Sequence, residues 1–291
     1  MMDTLIDPHA RARHRVARER QFGPKYTILR ALFIAAILLG SQALVAEINA
    51  QEPASAPAPA PQMQTDEDPT KPILYSIRNE YRDLRNGAWA DTLLLRVDRL
   101  SFRNLKNKGG AKGLILRADI PLNTVHNGTT TRTGLGDFYG QALYVPRVGR
   151  RFAFAVGGGI VLPTATDKML GQGKFVVAPA AVPVWYFAKR KRVALIRFQN
   201  FVSVAGSKSR PDINFFVADP TITHPITRKW WIGANTEFKW DWRRKLASGI
   251  TGFQVGRMVR GKFGFWLKPE VPWGPGRMGN FTLKFTVFRI R

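Results

Sequence analysis

Residues 230–242 read WWIGANTEFKWDW, and their apolar and polar side chains alternate. In an extended chain one face carries Trp230, Ile232, Ala234, Phe238, Trp240 and Trp242, and the other carries Asn235, Glu237, Lys239 and Asp241. A helix would spread these charges around its whole circumference. Aromatic residues at both ends of the apolar face are typical of membrane-spanning strands, whose ends lie at the two membrane–water interfaces. The stretch therefore predicts a β-strand with one lipid-facing side.

The same alternation recurs from about residue 73 to the C-terminus. It is clear in the runs 114–122, 192–205 and 281–287, and turn signals such as the Asn-Gly pair at 86–87 separate the runs. Many runs reach about 11–13 residues, which suits a tilted membrane crossing better than the usual strand of about 5–6 residues. The sequence predicts an all-β protein, a single-chain transmembrane antiparallel β-barrel of about 12 strands, with about 10–14 as the range.

Three predicted strands are less regular than the others. The run 73–84 alternates poorly, and the runs 174–187 and 211–224 contain prolines, which remove ladder hydrogen bonds. We expect bulges or irregular pairing in the two strands with prolines. A soluble β-sandwich or lipocalin-like barrel, with its apolar face inward, is the alternative fold. Strand length and aromatic strand ends favour the membrane barrel.

Residues 1–46 have the organisation of a secretory signal peptide with a basic extension. Several arginines precede an apolar run at 28–39, which only Arg30 interrupts. This run is too short to span a bilayer, because a spanning helix takes about 20 residues. Cleavage after Ala43 fits the preference for small residues best, two later alanines compete with it, and an uncleaved anchor is the alternative. The sequence predicts export through a cleaved signal peptide.

Residues 47–72 are predicted to be a linker. Proline and alanine alternate between Pro53 and Pro61, which favours an extended spacer. The acidic stretch 66–68 that follows has nothing to bury. The barrel is therefore predicted to comprise residues 73–291.

Composition argues against several functions. The 291 residues include no cysteine, and the four histidines have neither metal-ligand spacing nor a Ser/His/Asp arrangement. The formal net charge of +25 raises the hypothesis of nucleic-acid binding, but no nucleic-acid motif accompanies it. We therefore expect no enzymatic activity, no cofactor, no metal and no nucleic-acid partner.

The polar faces of the predicted strands supply candidate residues for the lumen. These are Arg117, Asp119, Arg197, Gln199, Glu237, Lys239, Asp241, Lys268, Glu270 and Lys284. In an open lumen such basic side chains would favour anions or acidic solutes, whereas paired charges would fill a narrow barrel. Basic turns, such as the one at 243–245, are expected to contact membrane lipid headgroups or lipopolysaccharide phosphates.

One stretch carries a family resemblance: residues 162–167 read LPTATD, and LGQGK follows at 170–174. With GLGD at 134–137 and FVSVAG at 201–206, it resembles the outer-membrane β-barrel transporters labelled "MetA-pathway of phenol degradation", some of whose members are labelled neuromedin U. The resemblance extends loosely from about residue 73 to the C-terminus and implies an outer-membrane transporter. The motif loop comprises Leu162, Pro163, Thr164, Thr166, Asp167, Gly171 and Gly173. Its hydroxyl, carboxylate and glycine residues suit loop architecture better than ligand contact.

Together these features predict an outer-membrane transporter or channel for small hydrophobic or anionic solutes in a Gram-negative bacterium. Its partners would be membrane lipid, lipopolysaccharide, the barrel-insertion machinery and a small-molecule solute. One alternative is a structural or surface-binding barrel without transport. The other is a signal-anchored periplasmic β domain that binds polyanions.

Overall fold

The computed structural model describes residues 73–103, 111–187, 192–259 and 262–290. The predicted signal peptide and linker lie outside these residues and stay predictions. The described chain forms thirteen β segments: β1 (Ile73–Asp83), β2 (Trp89–Arg103), β3 (Ala111–His126), β4 (Thr131–Leu135), β5 (Phe138–Val148), β6 (Phe152–Leu162), β7 (Lys174–Phe187), β8 (Arg192–Gly206), β9 (Asn214–Pro225), β10 (Trp230–Asp241), β11 (Leu246–Val259), β12 (Phe263–Trp273) and β13 (Phe281–Ile290). Within those ranges, no helix is long and apolar enough to cross a membrane.

The segments form one closed antiparallel barrel with twelve crossings. Apart from β4, each segment pairs with its neighbours along the chain, and pairing between β1 and β13 closes the ring. The short β4 adds no crossing, because it pairs with the last residues of β3, beyond the residues of β3 that pair with β5. The predicted all-β antiparallel barrel of about twelve strands is confirmed.

The hairpin of β3 and β4 differs from the prediction of one strand over 134–145. The structure breaks this strand at Gly136 and Asp137, and β3 continues to His126 instead of ending near residue 122. The Asn127 side chain closes the hairpin, since its Oδ1 accepts backbone N–H groups at 2.9 and 3.1 Å. The break places Asp137 beside a loop, and its contacts there are described below.

The first strand is more regular than its sequence suggested. In β1 the side chains of Tyr75, Ile77 and Tyr81 are exposed on the outer face. Ser76, Arg78, Glu80 and Arg82 are buried on the inner face. The outer polar residue Asn79 obscures the alternation in the sequence, and its amide donates a hydrogen bond to Asp91 on β2 at 2.8 Å.

The pairing of β7 with β8 is irregular, as predicted, although the prolines themselves do not shift its register. Val177 pairs with Val202 before Pro179, and Val184 pairs with Leu195 after Pro183, in the same register. The residue pairs around the prolines are missing from the ladder with β8, and the pairing shifts register once, between Phe175 and Val176. Since proline has no N–H to donate, it removes individual hydrogen bonds without shifting the strand.

The barrel is apolar outside and polar inside. Ile77, Val97 and Phe253 are 51%, 54% and 66% exposed on the outer face. Inside, Lys284, Asp219 and Glu270 are at most 1% exposed. A soluble protein shows the opposite arrangement, so these two faces are those of a membrane-spanning barrel.

The two ends of the barrel differ in their connections. The terminal end contains the start of β1, the end of β13 and the short turns 149–151 and 226–229; the loop end contains the loops 163–173, 207–213 and 274–280. Exposed aromatic side chains lie near both ends. They are Tyr75, Phe152, Trp185, Phe187, Trp230 and Phe263 at the terminal end, and Phe175, Trp242 and Phe281 at the loop end. Such aromatic bands mark the two interfaces of a membrane.

Candidate functional site

Two ion pairs join β2 and β3 on the inner wall of the barrel. Arg96 on β2 binds the Asp119 carboxylate through two hydrogen bonds of 2.7 Å. Arg117 on β3 makes the same bidentate contact with the Asp98 carboxylate, with hydrogen bonds of 2.7 and 2.9 Å. The alternation of β2 and β3 points all four side chains inward, and antiparallel pairing brings each arginine opposite its carboxylate. Guanidinium and carboxylate groups match in this geometry, so the two pairs fasten these strands to each other.

A second group of charges joins β10, β12, β13 and β1. The Lys284 ammonium lies 2.7 Å from the Glu270 carboxylate and 3.9 Å from that of Glu80. Lys268 lies 3.2 Å from Glu270 and donates to the Asn235 side chain, also at 3.2 Å. Each cation is shared between strands, so the contacts continue around the wall.

Arg197 connects β8, β9 and β10. Its guanidinium is 3.3 Å from Asp219 and 3.3 Å from Glu237. It also donates to Gln199 at 3.0 Å, whose amide donates to the Tyr139 hydroxyl on β5 at 2.9 Å. Asp219 accepts a further hydrogen bond, at 3.0 Å, from Asn235. Because β9 lies between β8 and β10, the contact with Glu237 reaches past a strand on the inner side.

These side chains form what we call the charged belt. It comprises the cations Arg78, Arg82, Arg96, Arg117, Arg197, Lys268 and Lys284 and the anions Glu80, Asp98, Asp119, Asp219, Glu237 and Glu270. Their side chains are at most 9% exposed. At this level protein, and not a wide column of water, occupies the lumen. The belt is nearly balanced in charge, so it gives little net preference for either sign of ion.

Towards the terminal end the inner wall becomes apolar. One buried cluster joins β3 and β5 to β8 and includes Ile115, Leu143, Val184 and Leu195. A second cluster on the opposite wall contains Trp266 and Phe288, with Trp231 packed edge-on against Phe288. The lumen thus changes from charged to apolar along its axis.

At the loop end the lumen opens into a cavity of about 370 Å³. Phe201, Phe215 and Val217 supply apolar lining, and the Phe201 and Phe215 rings stack 4.7 Å apart. Lys239 lines the same cavity, and its ammonium lies 4.0 Å from the centre of the Phe215 ring. Both an apolar and a charged surface therefore face the cavity.

The carboxylates of the cavity are already bound by other groups. Asp212 pairs with Lys174 at 2.8 Å and with Arg243 at 3.1 Å, and the hydrogen bond from Lys174 lowers the pKa of Asp212. Asp241 accepts the backbone N–H groups of Arg243 and Arg244 at 3.0 Å each. Lys239 and Arg244, which also line the cavity, make no ion pair within the described part of the chain. The cavity therefore presents cations that are available to a solute.

The side chains of the predicted motif loop make hydrogen bonds to backbone groups at the loop end. Thr164 Oγ1 accepts the Phe138 N–H at 2.9 Å and donates to the Gly136 carbonyl at 3.1 Å. Asp167 Oδ1 accepts the Met169 N–H at 2.7 Å. β6 ends at Leu162, and Pro163 begins the loop. The contacts are those of loop architecture.

Asp137 lies between β4 and β5, and its side chain binds the backbone of this loop. Its carboxylate is 1% exposed and accepts the backbone N–H groups of Ala165 and Gln172. Burial raises the pKa of Asp137, and these hydrogen bonds act in the opposite direction. A Cβ on Gly171 would overlap both Ala165 and Asp137, so glycine is required for the close approach. The two family-like stretches, 134–137 and 162–174, thus contact each other directly.

We expect Asp137→Ala to loosen the loop 163–173. The substitution leaves two partly buried N–H groups without their acceptor, and an unsatisfied group costs at most about 1–3 kcal/mol when it is fully buried. Trypsin should therefore cleave after Lys168 faster than in the unchanged protein, as measured by mass spectrometry of the fragments. Asp137→Asn, which keeps one acceptor oxygen, should be intermediate, and the exposed Thr133→Ala is the control. Equal cleavage rates in all four proteins would contradict the prediction.

The ten predicted lumen residues all lie on the inner side of the barrel. Eight belong to the belt or contact it, and Lys239 and Asp241 line the loop-end cavity. Sequence reasoning missed the belt residues Arg78, Glu80, Arg82, Arg96, Asp98 and Asp219, and it missed Asp137 as the loop acceptor. The inward positions of β1 and β2 in their alternating patterns could have identified the first five of these residues.

The two described histidines lie away from the belt: His126 stacks on Trp89, and His224 lies in β9. Over the described ranges, no group of His, Asp and Glu is arranged to hold a metal ion.

Comparisons with known proteins find likeness in fold. No protein-family model and no curated protein sequence matches the chain. An outer-membrane channel from Pseudomonas putida F1 is similar with a TM-score of 0.64 and 11% identity, over 78% of this chain and 97% of that one. The NanC porin is similar with a TM-score of 0.51 and 12% identity, over 75% and 99% of the two chains. The KdgM porin, solved in complex with disordered oligogalacturonate, is similar with a TM-score of 0.50 and 8% identity, over 74% and 99%.

These likenesses concern the fold alone. The chain has the fold of outer-membrane porin and channel barrels, in agreement with the membrane-facing outer surface described above. The narrower resemblance to the phenol-degradation transporters stays a prediction.

Proposed function

We propose that this protein is a channel in the outer membrane of a Gram-negative bacterium that takes up small anionic solutes with an apolar part. The observation that carries the proposal is the loop-end cavity. Its phenylalanine rings offer apolar contact, and Lys239 and Arg244 offer positive charge that makes no ion pair within the described part of the chain, whereas the lining carboxylates Glu237 and Asp212 are paired with Arg197, Lys174 and Arg243. Since the belt is nearly balanced, the cavity supplies the preference for anions.

The location follows from the same features. The apolar outer band and the two aromatic bands suit a lipid bilayer, and the predicted signal peptide at 1–46 would direct export. With twelve crossings, the start of β1 and the end of β13 lie on the same side of the membrane, which we assign to the periplasm. The loop-end cavity then faces the outside of the cell. The barrel-insertion machinery of the outer membrane is the expected partner in assembly.

The experiment is conductance in planar bilayers, with protein extracted from the outer-membrane fraction, so that its presence there tests the proposed location. In a salt gradient, the reversal potential should indicate preference for anions. Lys239→Gln combined with Arg244→Gln should reduce that preference several-fold, because it removes the unpaired cations of the cavity. Lys208→Gln, an exposed change outside the cavity, is the matched control. Preference for cations in the unchanged protein would overturn the proposed solute class.

A barrel without transport is the second candidate, and the belt is the observation that favours it. Its buried charges fill the lumen between the cavity and the apolar clusters. Bilayers that show no conductance above the protein-free level, together with no flux of small anions into liposomes, would favour this candidate. The third alternative, a signal-anchored periplasmic β domain that binds polyanions, is disfavoured by the apolar outer band.

A further inference from the structure

Four arginines point outward near the terminal end of the barrel. They are Arg99 on β2, Arg192 on β8, Arg257 on β11 and Arg289 on β13. Each takes an outer position in the alternation of its strand, as the exposed Val97, Val255 and Val287 two residues earlier illustrate for three of them. We call this set the arginine girdle. An outward arginine in the middle of the bilayer would be destabilising, but at the level of the headgroups it meets phosphate.

Aromatic rings of the terminal end hold two of these arginines at that level. The Arg257 guanidinium lies 5.1 Å from the centre of the Trp230 ring, its cross-strand partner. The Arg289 guanidinium lies 5.8 Å from the Tyr75 ring and 5.4 Å from the Phe263 ring. It also donates a hydrogen bond to the Tyr75 hydroxyl at 3.0 Å. Because aromatic bands mark the membrane interface, these contacts place the charges beside lipid headgroups.

In the turns of the terminal end that the structure describes, all charged residues are basic. The described turns there contain Arg150, Arg151, Arg228, Lys229 and Lys262 and no Asp or Glu. None of the four girdle arginines makes an ion pair with a described carboxylate. The loop end is mixed, with Asp83, Asp167, Asp212 and Asp241 among its basic residues. Because the girdle arginines make no ion pair with a described carboxylate, the surface of the terminal end attracts anions from its surroundings.

We infer that the arginine girdle is a binding site for anionic glycerophospholipids in the leaflet that surrounds the terminal end. The planar guanidinium donates two hydrogen bonds to a phosphate, and the aromatic rings hold it in place while it does so. The basic turns next to the girdle add attraction that extends over the headgroup layer. The site lies on the outer wall, so it does not depend on the proposed transport through the lumen.

The test uses the full chain in phosphatidylcholine vesicles, with and without phosphatidylglycerol. After extraction, native mass spectrometry measures which lipids stay bound. The unchanged protein should retain phosphatidylglycerol several-fold over its share in the vesicle. The variant Arg99→Gln/Arg192→Gln/Arg257→Gln/Arg289→Gln should lose this enrichment. The control Arg85→Gln/Lys168→Gln/Lys208→Gln/Lys245→Gln removes the same charge from exposed residues of the loop end and should keep it.

Three outcomes would overturn the inference. In the first, the four-arginine variant retains as much phosphatidylglycerol as the unchanged protein. In the second, the control loses as much as the four-arginine variant, which would make net charge the cause. In the third, inorganic phosphate or lipid A displaces phosphatidylglycerol, which would make the site one for free phosphate or for the opposite leaflet. If the four-arginine variant does not insert, Arg257→Lys/Arg289→Lys keeps the charge but removes the two-pronged donor, and it should lower the enrichment.

Discussion

Replacing Lys284 with methionine should lower the free energy of unfolding of the barrel by about 3 kcal/mol, because removal of one partner leaves buried charges uncompensated. Lys284 is completely buried and lies between Glu270 and Glu80, which belong to the strands on either side of β13. We expect the lower end of the range for broken buried pairs, since Glu270 keeps Lys268 at 3.2 Å. Urea unfolding of the barrel in lipid vesicles, followed by tryptophan fluorescence, measures the change.

Two further variants separate the charge effect from lost packing. Lys284→Met/Glu270→Gln removes a carboxylate that Lys284 contacts but also takes the carboxylate from the buried Lys268, so it should be at least as destabilised as Lys284→Met. Arg243→Met, which breaks the exposed pair with Asp212, should change little, because exposed pairs contribute little to stability. If Lys284→Met and Arg243→Met unfold at the same urea concentration, the belt does not stabilise the barrel.

The face on which each belt residue lies could be predicted from the sequence, and its partners could not. Alternation has a period of two residues, so a short run such as 230–242 already assigns Glu237 and Lys239 to one face. The partners of Arg197 are 22 and 40 residues away. They depend on the register of two successive hairpins, and a slip of one residue in either would exchange the faces. Strand number and direction follow from local pattern, whereas the belt requires the closed ring.

The broken strand at Gly136 and Asp137 shows where local pattern misleads. The sequence predicts one strand over 134–145, and Gly136 alone does not establish a break there. The break exists because Asp137 binds backbone groups of Ala165 and Gln172, 28 and 35 residues further on. A loop from another hairpin therefore determines the local backbone. In the poorly alternating β1, the reverse holds: the polar Asn79 hides a regular strand, because a hydrogen bond with Asp91 satisfies it on the outer face.

Arg197→Ala should have the largest combined effect on stability and conductance. Asp219 and Glu237 would lose the cation that lies 3.3 Å from each, and loss of a buried partner costs about 3–5 kcal/mol. The smaller side chain would also widen the lumen below the loop-end cavity. We therefore expect a higher single-channel conductance and a shift of the reversal potential towards cations, because two carboxylates remain without their arginine.

Arg197→Met distinguishes charge from volume in this effect. Methionine fills a similar space without the charge, so it should shift the ion preference like alanine and leave the conductance nearly unchanged. A conductance that rises equally in both variants would mean that Arg197 does not narrow the lumen. If neither variant conducts although both insert, the belt is a permanent filling of the lumen, and the barrel without transport replaces the channel. The two substitutions thus decide whether the belt is the narrowest part of a pore or the core of a closed barrel.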